Sequence, residues 1–223
     1  MIDFHAHVLP RCDHGSDSLE TSLKQLQLAR EAGVQTLIAT PHFYPNHDDF
    51  NALLSRRKRT YEELTAHHTG QPEILLGCEV NLCPGLDHFE GLEQACVEGT
   101  KLLLVEMPVD YWSASLEDTL LRLYDDERFT VVLAHVDRYA PDRIQRLLDF
   151  GLLAQINAES VCMLWGRRRL LRWIDQGSVV ALGSDIHGVK PGYEEFTKAI
   201  KILRSRADTV FSRTERLLEE NRV

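Results

Sequence analysis

The chain alternates short apolar runs with longer helical patterns, and each apolar run ends near a residue that can ligate a metal. The runs cover 2–4, 36–40, 74–77, 102–105, 130–134, 152–156 and 179–183. They are rich in Leu, Val and Ile and do not strictly alternate, which is the pattern of strands buried on both faces of a parallel sheet. Helical patterns fill 18–32, 48–68, 115–126 and 141–150. In the first of these, Ser18 is followed by Thr21, Leu23, Leu26 and Ala29 near the helical period, and Gly33 supplies a stop. Pro141 suits a first helical turn. Seven strands alternating with helices predict a parallel α/β fold, and seven or eight such units can close into a barrel.

Strand ends carry the chemistry. The first run leads into His5 and His7, whose spacing in an extended chain sends both rings to one side. The second ends on Thr40-Pro41-His42, the third on Gly77-Cys78-Glu79 and the fourth on Val105-Glu106-Met107-Pro108. The fifth ends on Ala134-His135, the sixth on Asn157 and the seventh on Gly183-Ser184-Asp185-Ile186-His187. In a parallel barrel all these ends meet on one face. One polar residue at a strand end is ordinary turn chemistry; seven in succession are not. Carboxylates mixed with neutral imidazoles suit manganese, iron, zinc or magnesium. The ligands exceed the needs of one ion, so two or three divalent ions sharing a bridging carboxylate are expected. Such clusters clamp phosphate esters and turn water into hydroxide near neutral pH. The residues therefore point to metal-assisted hydrolysis, foremost of a phosphoester.

The totals narrow the setting. A chain of 223 residues can bury a sizeable core, and it shows no linker, repeat or composition break. One domain over 1–223 is expected. The net charge of −9 argues against general nucleic-acid binding. No apolar run reaches membrane-span length, and the N-terminus enters a strand without the pattern of a signal peptide. The five cysteines are irregularly spaced and form no Cys-x-x-Cys pair, so unpaired thiols in a reducing cytoplasm are expected.

Taken together, His5-Ala6-His7, Thr40-Pro41-His42, Gly77-Cys78-Glu79, Val105-Glu106-Met107-Pro108, the stretch Ala134-His135-Val136-Asp137-Arg138-Tyr139 and Ser184-Asp185-Ile186-His187 resemble the polymerase-and-histidinol-phosphatase superfamily. Within it they are most similar to the bacterial metal-dependent protein-tyrosine phosphatases of capsule and exopolysaccharide clusters. The resemblance covers nearly the whole chain. It implies a distorted seven-stranded TIM-like barrel with three metals, manganese foremost and iron or zinc as alternatives. It also implies metal-activated hydroxide attack on phosphorus. By the resemblance, one metal takes His5, His7, Glu79 and Asp185; a second shares Glu79 and takes Glu106 and His135. The third takes His42, His187 and the residue before Gly15. Arg138 holds the phosphate. The implied partner is the phosphotyrosine-bearing tail of a tyrosine autokinase, with no nucleic acid, no membrane insertion and room for a homo-oligomer.

Two positions depart from the family pattern. His14 stands where the family has a carboxylate, so either His14 or Asp13 is expected at the third metal. Lys190 stands near where the family places an arginine, and it is either a point charge for phosphate or a solvated side chain. Other readings compete. Cys162 and Arg168 match the Cys-x5-Arg spacing of cysteine phosphatases, but bulky Met163, Leu164 and Trp165 fill a loop that needs small residues; the plain alternative packs Leu164 and Trp165. The basic runs at 56–59 and 167–169, with Arg172, are either solvated helix faces or an attraction for an acidic tail. Asp110-Tyr111-Trp112 either rims the site or packs locally. A small-molecule phosphatase of the histidinol-phosphate kind, a nucleic-acid phosphodiesterase and a non-catalytic metal-stabilised binding module complete the alternatives.

Overall fold

A computed structural model describes residues 1–108, 112–190 and 192–223. The first half of the chain runs β1 (Ile2–Ala6), α1 (Leu19–Glu31), β2 (Thr36–Ala39), β3 (His42–Phe43), α2 (Phe50–Thr65), β4 (Glu73–Leu76), β5 (Glu79–Asn81) and β6 (Leu102–Glu106). The second half runs α3 (Ala114–Asp125), β7 (Thr130–Leu133), α4 (Pro141–Phe150), β8 (Leu153–Asn157), α5 (Ala158–Cys162), α6 (Arg167–Gln176), β9 (Val179–Gly183), α7 (Glu194–Leu203) and α8 (Ser205–Glu220). Helix starts follow capping chemistry. Ser18, Asp49 and Ser113 accept from the backbone N–H three residues on, at 3.1, 3.0 and 3.2 Å. Pro141 opens α4.

Among the described residues every pairing between these strands is parallel. They form two sheets, β1-β2-β4 and β3-β5-β6-β7-β8-β9, and not one closed seven-stranded barrel. The difference arises in two of the expected strands. Pro41 has no N–H to give to a ladder, so the second run splits into β2 and β3. The third breaks between β4 and β5 at Gly77-Cys78. Backbone bonds still cross the breaks, from Gly77 N–H to Ala39 O (2.9 Å) and from Glu79 N–H to Pro41 O (3.1 Å). At the far edge, Asp185 N–H donates to His5 O (2.8 Å) and His7 N–H to Ile186 O (3.3 Å), which joins β1 to the turn after β9.

An inner apolar cluster sits between the strands, built from Phe4, Ile38, Leu102, Leu104, Val132, Ala134 and Ala181. Leu217 and Leu218 of α8 pack against it and seal its lower end. Thr214 ties α8 to β9 by donating to Val180 O at 2.7 Å. A second, larger cluster lies under the helices, with Trp173 fully buried in it. Among the described residues no helix is long and apolar enough to cross a membrane.

Candidate metal centre

On several strands the inward face turns from apolar to polar by simple alternation. Leu102 and Leu104 join the inner cluster and Glu106 follows; Gln155 and Asn157 follow Leu153 in the same way. Elsewhere the backbone has to break that rhythm. Phe4 and His5 are neighbours that a regular strand would point to opposite faces, and β1 has a register shift between Asp3 and Ala6. His135 and Asp185 both take positive φ, 29° and 52°, a sparsely populated region that clusters at functional sites. Gly15 is required by close approach: a side chain there would overlap the His7 Cβ.

These irregularities bring eight side chains together. His5 Nε2 and His7 Nε2 lie 3.1 Å apart. Glu79 Oε2 lies 3.2 and 3.3 Å from them, and Asp185 Oδ1 3.6 and 3.4 Å. Glu79 Oε2 is also 2.9 Å from His42 Nδ1, while Glu79 Oε1 is 2.7 Å from His135 Nε2. Glu106 Oε1 stands 3.5 Å from His135 Nε2. Converging ligand atoms form three groups among the described residues: His5, His7 and Asp185; His42, Glu79 and Glu106; and His7, His42 and His187.

The tautomers show what these atoms converge on. Asp13 Oδ2 lies 2.7 Å from His7 Nδ1, and an ionised carboxylate only accepts, so Nδ1 carries the proton. Gln155 Oε1 accepts from the His135 backbone N–H at 2.7 Å and also meets His5 Nδ1 at 3.3 Å, so that nitrogen donates as well. In the neutral rings both Nε2 atoms are left with lone pairs. Two such lone pairs 3.1 Å apart, facing two carboxylate oxygens, repel unless a proton or a metal cation sits among them. Glu79 Oε2, His42 Nδ1 and His187 Nε2 are likewise buried without a hydrogen-bond partner, although Glu79 Oε2 and His42 Nδ1 are close. Their short distance without hydrogen-bond geometry means that both aim at a common point. The donor set, imidazole nitrogens and carboxylate oxygens, is that of divalent transition metals.

The charges agree. Burial works against a charged His5 and His7, but Glu79, Asp185 and, for His7, Asp13 outweigh it and raise both above the usual imidazole range. Burial also opposes ionised Glu79 and Asp185, yet the surrounding histidines, and Arg138 for Asp185, hold both well below the usual carboxylate range. Burial and the neighbouring His7 lower His187 to about 4, which leaves it neutral and able to ligate.

The remaining expected residues fall around this centre. Both Asp13 oxygens are engaged, Oδ1 by the Gly15 N–H at 2.9 Å and Oδ2 by His7 Nδ1 and the His42 N–H. Asp13 thus orients a ligand, while its Oδ1 keeps one lone pair beyond the Gly15 bond. His14 is exposed, with its ring centroid 4.7 Å from those of both His42 and His187, but it belongs to none of the three converging groups. Arg138 is 48% exposed and places Nη2 2.6 Å from Asp185 Oδ2. Asn157 Nδ2 donates to the same oxygen at 2.9 Å. Lys190 is exposed and lines a cavity of about 260 Å³ beside Asp185 and His187.

Three side chains without an expected role proved structural to the centre. Gln155 is fully buried and links His5, His135 and Asn157. The Tyr139 hydroxyl meets His135 Nδ1 at 3.2 Å and accepts from the Met107 N–H. Tyr193 donates to Asp3 Oδ2 at 2.6 Å, and Ser184 N–H donates to Asp3 Oδ1, fastening the Asp185 turn to β1. Gln155 had a sequence signal, since it stands two residues before Asn157 on one strand face.

Other expectations change. Leu164 and Trp165 do not pack; they are 86% and 92% exposed. Cys162 closes α5, lies beside Glu195 O, and burial pushes its thiol up, which does not make a thiolate nucleophile. Arg56 and Arg57 are partly buried and donate to Cys12 O, and to Gly77 O and Gln94 O, while Lys58 and Arg59 form an exposed face. Trp112 is buried, donates to Pro108 O and stacks edgewise on Tyr139; Asp110 and Tyr111 lie outside the described residues. All five cysteines are free.

Comparisons with known proteins converge on one group. The family model described as capsular polysaccharide synthesis, CpsB/CapC, matches residues 1–222. The chain is 26% identical over 218 residues to the tyrosine-protein phosphatase YwqE of Bacillus subtilis, covering 91% of this chain and 84% of that protein. A solved structure from work on YwqE of Bacillus subtilis and CpsB of Streptococcus pneumoniae, described as metal-dependent tyrosine phosphatases, superposes with a TM-score of 0.80. It is 22% identical and covers 100% of this chain and 96% of its own. A lactonase from Listeria monocytogenes matches more distantly, at 12% identity and a TM-score of 0.55, covering 100% of this chain and 92% of its own.

Proposed function

Because the chain belongs to the CpsB/CapC capsular polysaccharide synthesis family, we propose that it is a metal-dependent protein-tyrosine phosphatase. The observation that carries this reading is the convergence of His5 Nε2 and His7 Nε2, facing each other beside Glu79 and Asp185. His5, His7, Asp185, Glu79, Glu106, His135, His42 and His187 hold two or three divalent ions, manganese foremost and iron or zinc otherwise, with His14 at the rim. When bound, such ions polarise the phosphoryl group and make water a nucleophile near neutral pH.

The chain's own groups position the rest. Asp13 and Gln155 hold the His7 and His5 rings with Nε2 inward. Arg138 pairs with Asp185 and is half exposed, and the forked donors of its guanidinium suit phosphate oxygens. Lys190 adds a point charge from the neighbouring cavity. Hydrolysis breaks the bond between phosphorus and the tyrosyl oxygen, water supplies the entering oxygen, and the tyrosyl oxygen leaves and gains a proton. The proposed substrate is a tyrosine autokinase of capsule or exopolysaccharide assembly, in the cytoplasm. The distorted seven-stranded barrel is part of the same reading, supported by the bonds that bridge the breaks in its strands.

Phosphate release from a phosphotyrosine peptide and from histidinol phosphate, compared by kcat/KM, tests the substrate class. Chelation should abolish release and manganese should restore it better than magnesium. Full activity in demetallated protein would end the reading. Arg138→Ala should lower kcat/KM, and Arg138→Lys should recover only part of it, since an ammonium lacks the planar fork. Unchanged kinetics in Arg138→Ala would place it outside the site.

A further inference from the structure

Three consecutive large apolar side chains stand in solvent at the turn between α5 and α6. Met163 is 50% exposed, Leu164 86% and Trp165 92%. Single exposed apolar residues are ordinary, but a projecting cluster marks an interaction site. The turn is firmly held from behind: Arg167 Nε donates to Val161 O at 2.8 Å and Nη2 to Cys162 O at 2.6 Å. Its exposure is therefore built in. One helical turn apart on α6, Arg168 and Arg172 share an exposed face, and neither pairs with a carboxylate among the described residues. In a chain of net charge −9 this is a local basic island.

Its place relative to the metal centre follows from the topology. α6 leads into β9, whose C-terminal end carries Asp185, so the start of α6 lies at the metal-centre end of the fold. α5 begins directly at Asn157, which bonds Asp185, and its five residues span about 7 Å. An extended peptide advances about 3.3 Å per residue. A chain with its phosphotyrosine at the metal centre reaches the turn within a few residues.

We propose that Leu164, Trp165, Arg168 and Arg172 form a docking surface for the acidic segment flanking the phosphotyrosine of a protein substrate, with an apolar side chain of that segment meeting Trp165. The proposal rests on the phosphatase reading. Trp and Arg are the residues that most often anchor such contacts, and the arginine face supplies charge complementarity to glutamates and aspartates. An anionic membrane fits less well. Two arginines give only a weak attraction to such a surface, and the net charge of −9 works against it.

The test compares three substrates on wild type, on Leu164→Ser/Trp165→Ser and on Arg168→Glu/Arg172→Glu. The substrates are an aryl phosphate, a phosphotyrosine peptide flanked by glutamates and an apolar residue, and the same peptide flanked by glycines. Both variants should lose about tenfold in kcat/KM on the acidic peptide, mainly through KM. They should stay within about twofold on the aryl phosphate, with metal content and melting temperature unchanged. Equal loss on all three substrates, or none on any, overturns the proposal. So does a variant that turns a dimer into a monomer, which makes the turn a contact between copies. Loss of sedimentation with phosphatidylserine vesicles while peptide kinetics persist makes it a lipid surface. The unphosphorylated acidic peptide separates this from the function itself. Titrated against Trp fluorescence, it should bind wild type and not the Arg168→Glu/Arg172→Glu variant even if no phosphoester is hydrolysed. Failure to bind wild type overturns the docking surface alone.

Discussion

The two ends of the strand assembly are finished in opposite ways. At the lower end, Leu217 and Leu218 of α8 close over Phe4, Ile38 and Leu102, and the packing is apolar. At the upper end, Glu79 Oε2, His42 Nδ1 and His187 Nε2 are buried with nothing to bond. The lower end gains stability from every group placed there. The upper end gathers lone pairs and carboxylates at a cost that only a bound cation offsets. The same parallel strands serve both purposes because alternation on some strands, and local breaks in the backbone on others, carry the inward face from the apolar layer into the ligand layer.

Substitutions at the two ends should therefore part company. Glu79→Gln is expected to have the largest effect. It keeps shape, removes the shared charge, and should lower kcat about a hundred- to a thousandfold with the fold retained by circular dichroism. A drop below about tenfold, or about 1.4 kcal/mol of barrier, would give Glu79 a structural role and blur the distinction. Leu102→Ala at the lower end should do the reverse. Denaturant unfolding should report a loss of about 2–5 kcal/mol, while kcat measured well below the melting temperature stays as in wild type. Tyr139→Phe sharpens the comparison from behind the site. Losing the hydroxyl at His135 Nδ1 should weaken metal binding about tenfold or more, read by titration of the metal, with little change in stability.

His14→Asp should act more gently. A carboxylate stays unprotonated down to about pH 4, a free imidazole only down to about pH 6.5, so the variant should hold manganese to lower pH. Identical metal content across pH in both proteins would exclude His14 as a ligand. The smallest effect should come from Asp87, which belongs neither to the converging ligands nor to the inner apolar cluster. Its hydrogen bond to Arg122 at 2.5 Å holds its carboxyl below the usual range. A depressed folded pKa contributes stability above the ordinary carboxylate pKa and loses it as pH falls through the depressed value. Arg122 is half exposed, so solvent screens the pair. Asp87→Asn should lower the melting temperature by about 1–3 °C at neutral pH, and the gap should close as pH falls below the ordinary carboxylate range.

Much of this was legible in the sequence, for physical reasons that can be named. The run at 179–183 and the helix at 141–150 match their elements, because a buried apolar stretch with Gly at its end and a Pro start with Gly151 beyond are strong local signals. The ligand types at the strand ends were visible because buried strands carry few other polar residues. What periodicity misses is anything shorter than its window: β3 has two residues and β5 three, and Pro41 was the one sign of the break. The roles of Gln155 and Tyr139 depend on contacts across the assembly, with Gln155 joining β1, β8 and the turn after β7, and no local pattern encodes those. Trp165 was misjudged because a large apolar residue is assumed to be covered, and only tertiary structure tells which one is left out.

The left-handed backbone at His135 and Asp185 limits how this centre can diversify. Besides glycine, that conformation is entered most readily by Asn, Asp and His. A mutational path that tries glutamate or cysteine at either position meets backbone resistance before its coordination chemistry is ever tested. Selection or redesign for another metal thus has more freedom at Glu79, Glu106 and His42, which stand on or at the start of ordinary strands, than at the two positions where the chain's own geometry has already narrowed the alphabet.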